Sequence, residues 1–213
     1  MANLSIDQAA GLRRLHAAPQ RGLCTVLSAD ADADKAALMH KLAASMRRRG
    51  SAVTLLDARG SATSGQPSLA DVVAGRATLE SATVNGVGDI KYLVLGEVSA
   101  PAATEALLRQ FADRGARVLV DAALDSKGCL PLPLLSEGEI VVQLSGSPDS
   151  IKQAYAMLKA LQVLRISGSL SILVTADDPT RAQKIHANLF QAASRYLALS
   201  VKSIIAPQGV RHV

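Results

Sequence analysis

Short apolar runs alternate along this chain with longer segments in which apolar and polar residues recur at helical spacing. The apolar runs predict strands at residues 23–27, 53–56, 90–95, 118–121, 140–144, 170–175 and 201–205. The longer segments predict helices at residues 34–49, 69–75, 102–114, 150–164 and 180–196, with one further helical turn at 79–82. Strands and helices that alternate at this spacing indicate βαβ units. We therefore predict an α/β fold: a doubly wound, mainly parallel sheet with helices on both faces.

A separate short helix is predicted ahead of this domain, over residues 4–18. Ser5 and Gln8 have the spacing of a capping box, and Leu12 and Leu15 contribute to a narrow apolar stripe. Such a short helix is only marginally stable alone in water, so it either packs on the domain or serves a partner. The predicted division is an N-terminal motif helix and linker at residues 1–20, followed by an α/β domain at residues 21–213.

The loop between the first predicted strand and helix, residues 28–37, contains three aspartates and no glycine. In α/β proteins that bind nucleotides this loop is rich in glycine, because bare backbone N–H groups close around phosphate at the helix N-terminus. A triphosphate placed here would meet about three like charges, each costing roughly a kcal/mol or more near a protein surface. We therefore predict that this protein has the fold of a nucleotide-binding protein but no longer binds nucleotide. We expect it to act by binding other proteins.

Two other roles are possible for the three aspartates of this loop, Asp30, Asp32 and Asp34. Their D-x-D-x-D spacing opens a calcium-binding loop, but Lys35 stands at the central glycine position and Lys41 replaces the final glutamate. The second possible role is helix capping: Asp32 or Asp34 caps the following helix in place of phosphate, and Lys35 pairs with a neighbouring acid. That arrangement would hold the fold without a ligand.

Composition narrows the choice of partners. The chain is 49% hydrophobic but only 2% aromatic, so its core must be built from aliphatic side chains, as in helices packed closely on a parallel sheet. The net charge of +5 permits acidic partners, but the basic residues are not interleaved with aromatics, so nucleic-acid binding is not expected.

The two cysteines have no metal-binding spacing, which favours a reduced, cytoplasmic location. No apolar run approaches the 18 or so residues of a membrane span, and residues 207–213 are too few for an amphipathic anchor, so we expect no attachment to a membrane.

Three local motifs carry a resemblance to a known family. Residues 7–13 read DQAAGLR, residues 69–75 read LADVVAG, and residues 147–159 read SPDSIKQAYAMLK. On these motifs the chain resembles the MinD/ParA-type P-loop ATPases, and among them the flagellar-number regulators of the FlhG (FleN) type. The first motif matches DQAxxLR near the FlhG N-terminus, and the others resemble LxDVxxG and EPTSIxDAYxLIK. The resemblance covers essentially the whole chain and implies the same doubly wound fold.

The resemblance also assigns positions in the phosphate loop. Lys35 falls on the lysine that meets the terminal phosphates, whereas Asp30 falls on the signature lysine that contacts nucleotide and crosses the dimer interface. Ala36 falls on the hydroxyl residue that holds Mg²⁺, so the metal would lose a ligand. The positions that are glycine or small in the family are occupied by Ala31, Asp32 and Asp34.

Outside this loop the resemblance implies a mixture of retained and lost residues. Asp57 keeps an acid at the end of the second strand, but Arg59 stands where the water-orienting acid would be. Asp121 matches the Walker-B-like acid, yet Asp125 takes the place of the switch glycine. Thr175 occupies the position of an asparagine that reads adenine. So many departures in one direction imply a pseudo-ATPase, with no catalytic residue, metal or cofactor expected.

The function implied by the resemblance is regulation of flagellar number and assembly without catalysis. The N-terminal helix would dock on an FlhF-like GTPase and stimulate GTP hydrolysis, while other flagellar or regulatory proteins are further candidate partners. The residues assigned to this contact are Asp7, Gln8, Leu12, Arg13 and Leu15. The alternatives are an active MinD/ParA-like ATPase with an atypical loop, which would use ATP and Mg²⁺, or a DNA-associated partition-type protein. We expect a monomer, because Asp30 cannot supply the lysine contact of a nucleotide-held dimer.

Overall fold

A computed structural model describes residues 22–30, 32–59, 65–113, 115–176 and 178–207 of this protein. Side chains are described for all of these except residues 32–34 and 203–207. The predicted helix at 4–18 and the predicted boundary after residue 20 lie outside the described residues.

The described residues form an eight-stranded sheet with the order β3-β4-β2-β5-β1-β6-β7-β8. Neighbouring strands pair in parallel, except that β3 and β4 are antiparallel. The strands are β1 (Leu23–Ser28), β2 (Ala52–Asp57), β3 (Val84–Asn85), β4 (Ile90–Val94), β5 (Ala116–Ala122), β6 (Glu139–Ser145), β7 (Leu170–Ala176) and β8 (Val201–Pro207). The predicted fold class is confirmed. The sequence pattern missed only β3, which is two residues long and too short to show an alternation.

Each predicted helix of the domain is present, with small shifts at its ends. The helices are α1 (Asp32–Arg48), α2 (Leu69–Val73), α3 (Leu79–Ala82), α4 (Pro101–Asp113), α5 (Pro148–Val163) and α6 (Pro179–Tyr196). Two unpredicted 3₁₀ turns lie at Val87–Asp89 and Pro133–Ser136. Gly50 follows α1 with a φ of 82°, so it supplies the left-handed residue that ends the helix.

The LADVVAG segment is shaped by local capping. The Asp71 carboxylate accepts hydrogen bonds from the N–H and hydroxyl groups of Ser68, at 2.9 and 2.7 Å, and from the Arg76 guanidinium at 2.7 Å. These contacts, the Ser68 backbone N–H first among them, lower the pKa of Asp71 to about 2. The segment thus builds a capping box at the start of α2, and Gly75 follows the helix with a φ of 72°.

Helices lie on both faces of the sheet, but unequally. On the first face α2 to α6 contribute to one large apolar cluster with the strands, through residues that include Leu69, Ala82, Leu108, Leu158 and Leu189. On the second face α1 is the one described helix, and its Met39, Leu42, Ala43 and Met46 pack against strand residues that include Val26 and Leu119. No helix in the described part of the chain is long and apolar enough to cross a membrane.

Candidate functional site

The residues that follow β1, β2 and β5 line an open cleft at the carboxyl edge of the sheet. Its volume is about 380 Å³, and one side is formed by α5 through residues such as Met157 and Ala160. Ligands of doubly wound proteins bind outside the carboxyl ends of the strands, where the chain connections diverge. The cleft therefore lies where the fold class places a ligand, and Asp30, Lys35 and Arg59 all reach it.

Lys35 lies in the first turns of α1 and is almost completely buried, with 3% of its surface exposed. Its ammonium group forms a close ion pair with Oδ1 of Asp121, at the end of β5. It also donates a hydrogen bond of 2.7 Å to the backbone carbonyl of Ala122. The sequence predicted that Lys35 pairs with an acid, and in the structure Asp121 is such a partner.

Asp121 also lies near a second cation. The Arg59 guanidinium Nη1 is 4.0 Å from the other carboxylate oxygen, Oδ2. The backbone of Arg59 is held by Asp57, because the Arg59 N–H donates a hydrogen bond of 2.9 Å to Oδ1 of Asp57. The two acids that the resemblance assigned as retained, Asp57 and Asp121, thus both contact residues of the protein itself.

Asp30 is held by a hydrogen-bond network that the sequence analysis did not predict. One carboxylate oxygen accepts from the Ser145 hydroxyl at 2.7 Å, and the other accepts from the Gln143 side-chain amide at 2.8 Å. The Gln143 carbonyl oxygen in turn accepts a short hydrogen bond from Ser28. Ser28 also accepts from the Asp30 backbone N–H at 3.1 Å, so the turn after β1 is closed by its own side chains. Gln143 is 1% exposed and is the one polar residue in the run 140–144, so this polar position was the available signal in the sequence.

The remaining positions assigned by resemblance also make internal contacts. Oδ1 of Asp125 accepts the backbone N–H groups of Lys127 and Cys129, each at 2.8 Å, and so stabilises the loop after β5. The Thr175 hydroxyl donates to the carbonyl of Leu144 at 3.1 Å. Ala36 is exposed and carries no oxygen that could ligate a metal. The side chains of Asp32 and Asp34, and all of Asp7, Gln8, Leu12, Arg13 and Leu15, lie outside what the structure describes.

The third motif forms the start of α5, beside the cleft. The Ser147 hydroxyl accepts the N–H of Ser150 at 3.1 Å, which caps the helix, and Pro148 occupies its first turn. Ala154 and Leu158 are fully buried against the sheet. The motif therefore fixes the helix that forms one wall of the cleft.

Comparison with known proteins identifies the fold. No protein-family model matches the sequence, and no curated protein matches it. Solved structures do match. The MinD cell division protein of Aquifex aeolicus is 16% identical with a TM-score of 0.62, covering 86% of this chain and 82% of that chain. A ParA family ATPase from Chlorobium tepidum TLS is 16% identical with a TM-score of 0.61, covering 88% and 84%.

A third match shows how broadly this architecture is used. The cobyrinic acid a,c-diamide synthase of Mycobacterium smegmatis is 16% identical with a TM-score of 0.58, covering 88% of this chain and 86% of that chain. The described residues therefore have the fold of MinD/ParA-type P-loop ATPases. At this level of identity the likeness establishes the architecture alone, and the activity must be argued from the site.

Proposed function

We propose that this protein is a non-catalytic regulator of the FlhG (FleN) type, which keeps the MinD/ParA-like fold and acts by binding other proteins. The observation that carries the proposal is the buried ion pair between Lys35 and Asp121. In this fold the lysine at the start of α1 would meet phosphate, but here its charge is neutralised from within the protein. A nucleotide would have to displace an internal carboxylate before it gained that contact.

The environment of Asp30 supports the same proposal. Its carboxylate reaches the cleft and is oriented there by Ser145 and Gln143. A fixed negative charge within a few Å of a phosphate costs on the order of a kcal/mol or more near a protein surface. Loss of the metal-binding hydroxyl at Ala36 adds to this cost, because Mg²⁺ could not offset the repulsion from that position. We propose that neither ATP nor Mg²⁺ is a cofactor of this protein.

Titration with Mg-ATP tests this part of the proposal. We expect no saturable heat in calorimetry, corresponding to a Kd weaker than about 1 mM, because the lysine is already paired and Asp30 faces the cleft. The Asp121→Asn variant is the informative comparison, since it releases Lys35 from its ionic partner. A gain of affinity in that variant would support the argument, whereas micromolar binding by the unmodified protein would favour the active-ATPase alternative.

The partner proposal rests on the N-terminal motif. We propose that Asp7, Gln8, Leu12, Arg13 and Leu15 contact an FlhF-like GTPase in the cytoplasm. In this arrangement Leu12 and Leu15 supply the apolar anchor, and Arg13 is attracted to an acidic surface. Gln8 carries an amide that can orient water or a phosphate oxygen beside a bound nucleotide, as glutamine does in other GTPases.

A peptide of residues 1–22 should stimulate GTP turnover by an FlhF-type GTPase. The Gln8→Ala peptide should lose most of that stimulation and still bind, because the leucine anchor is intact. Turnover is measured by phosphate release, and binding by calorimetry with the same peptides. A peptide with Gln20→Ala, outside the motif, serves as the matched control. An inert wild-type peptide, or full stimulation by a protein lacking residues 1–20, would contradict the proposal.

A further inference from the structure

The positive charge of this protein is concentrated in its C-terminal third. From residue 150 to residue 213 there are eight lysines and arginines but two acids, Asp177 and Asp178. This part therefore carries a charge of +6, whereas the whole chain carries +5, so the positive excess of the protein comes from it alone. Most of these cations lie on α5 and α6 or directly after α5: Lys152, Lys159, Arg165, Arg181, Lys184 and Arg195.

The fold places α5 and α6 side by side on the first face of the sheet. α5 packs on β6, and α6 packs on the neighbouring strands β7 and β8, through residues that include Leu158 and Leu189. Residues at helical spacing on the opposite side of each helix therefore face solvent. We call this side, with the exposed residues at the two helix ends, the α5–α6 surface: Lys152, Ala156, Lys159, Val163, Arg165, Lys184, Asn188, Gln191, Arg195 and Tyr196.

The α5–α6 surface contains no aspartate or glutamate, and few of its charges are engaged within the protein. Lys152 lies 3.5 Å from the Asp149 carboxylate in an exposed pair. The ion pairs between described residues do not include Arg165, Lys184 or Arg195. Exposed pairs contribute little to stability, so these cations can accept carboxylates of another molecule at small cost.

Two large hydrophobic side chains are exposed at one end of this surface. Val163 ends α5 and is 79% exposed, and Tyr196 ends α6 and is 74% exposed. Both helices run back to the amino edge of the sheet, because each connects two parallel neighbours. Val163 and Tyr196 therefore lie at the same edge as Arg165 and Arg195. Tyrosine and arginine are enriched at protein interfaces, whereas a phosphate backbone is bound through charged and polar groups, so the combination favours an acidic protein as partner.

The amino edge is also where the described chain begins. Residue 22 leads into β1, which lies beside β6 and parallel to it. From β1 to β7 is two strand spacings, about 10 Å. The N-terminal motif that we assign to the GTPase thus joins the domain at the edge where Val163 and Tyr196 are exposed. A GTPase bound to the motif is within reach of the α5–α6 surface.

We propose that the α5–α6 surface is a second docking site for the partner GTPase, which it binds through a patch of carboxylates around an apolar contact. The choice of an acidic protein stands on the charge and exposure of the surface, and its identification as the FlhF-type GTPase rests on the proposed function. The two contacts reinforce each other, because a partner held by the motif meets the surface at a high effective concentration. The motif supplies the stimulation and the surface supplies affinity.

Calorimetric titration of an FlhF-type GTPase with the full chain and with the peptide of residues 1–22 tests the second site. We expect the full chain to bind at least about tenfold more tightly in about 0.1 M salt, and the difference to shrink in about 0.5 M salt, because exposed charges are screened. Replacing Lys184 and Arg195 together with glutamate should abolish most of this advantage. The matched control, Lys41→Glu with Arg48→Glu, reverses two exposed cations of α1 and should keep it.

A second variant distinguishes a protein partner from other polyanions. Val163→Ser with Tyr196→Ser keeps every charge and should weaken binding of the GTPase at least about threefold, because it removes the apolar contact. The comparison probes are a duplex DNA oligonucleotide and vesicles of phosphatidylglycerol. If either probe binds through Lys184 and Arg195 while both variants bind the GTPase normally, the surface is a polyanion site and the proposal is overturned.

The same titrations separate this proposal from the proposed function. If the peptide stimulates the GTPase and the full chain binds no more tightly, or if the α1 and α6 reversals weaken binding equally, the second site is rejected and the function is retained. If the full chain binds through Lys184 and Arg195 while the peptide is inert, the second site is retained and the role of the motif is rejected. Absence of binding by chain and peptide alike rejects both.

Discussion

Replacing Lys35 with methionine should lower the free energy of unfolding by about 2–3 kcal/mol, because the change leaves the Asp121 carboxylate without its closest cation. Breaking a fully buried ion pair costs about 3–5 kcal/mol, and the 21% exposure of the Asp121 side chain reduces this figure. The hydrogen bond to the Ala122 carbonyl is lost as well. The midpoint of thermal unfolding should fall by roughly 5–10 °C for a domain of this size.

Two variants decide whether the ion pair is the cause. Lys41→Met removes an exposed lysine from the same helix and should change stability by less than about 0.5 kcal/mol. Combining Lys35→Met with Asp121→Leu should recover much of the loss, since two apolar side chains of similar volume can replace a buried pair. If Lys35→Met and Lys41→Met unfold at the same temperature, the pair does not stabilise the fold and the argument for an occupied lysine fails.

The Glu139→Gln variant should be more stable than the unmodified protein above neutral pH and equally stable near pH 4. Burial raises the pKa of Glu139 from 4.5 to about 7, while the Ser171 hydroxyl, Lys202 and Arg117 act in the opposite direction. The folded protein therefore binds this proton more tightly than the unfolded chain does. The resulting stability is fully present below about pH 4.5 and is lost as the pH rises through about 7.

Glutamine keeps an oxygen for the Ser171 hydroxyl but carries no charge, so it avoids this loss. From the shift in pKa, the expected advantage at pH 8 is about 2–3 kcal/mol. Urea unfolding at pH 5 and pH 8 measures the difference between the two proteins. Glu80→Gln, at an exposed position of α3, should leave the pH dependence unchanged. Parallel pH profiles for Glu139→Gln and the unmodified protein would show that Glu139 titrates normally.

The order and spacing of apolar runs determined most of the architecture. Buried parallel strands appear in the sequence as short continuous apolar runs, and most of them are followed by a helix because parallel neighbours require a crossover connection. Some helix ends depend on a local signal of this kind, because Gly50 and Gly75 supply left-handed residues just after α1 and α2. The absence of glycine between β1 and α1 could also be determined from the sequence, since loop composition is a local property.

Contacts between distant parts of the chain were decided only by the tertiary structure. Lys35 and Ala122 are 87 positions apart, and Asp30 and Ser145 are 115 positions apart. Local pattern cannot select such partners, because the carboxyl ends of several strands converge at one edge and offer several acids and hydroxyls to each side chain. The sequence by itself determined that the loop carries aspartates and one lysine. Only the folded sheet determined that Asp121 pairs with that lysine and that Gln143 orients Asp30, because both contacts depend on the order in which the strands lie side by side.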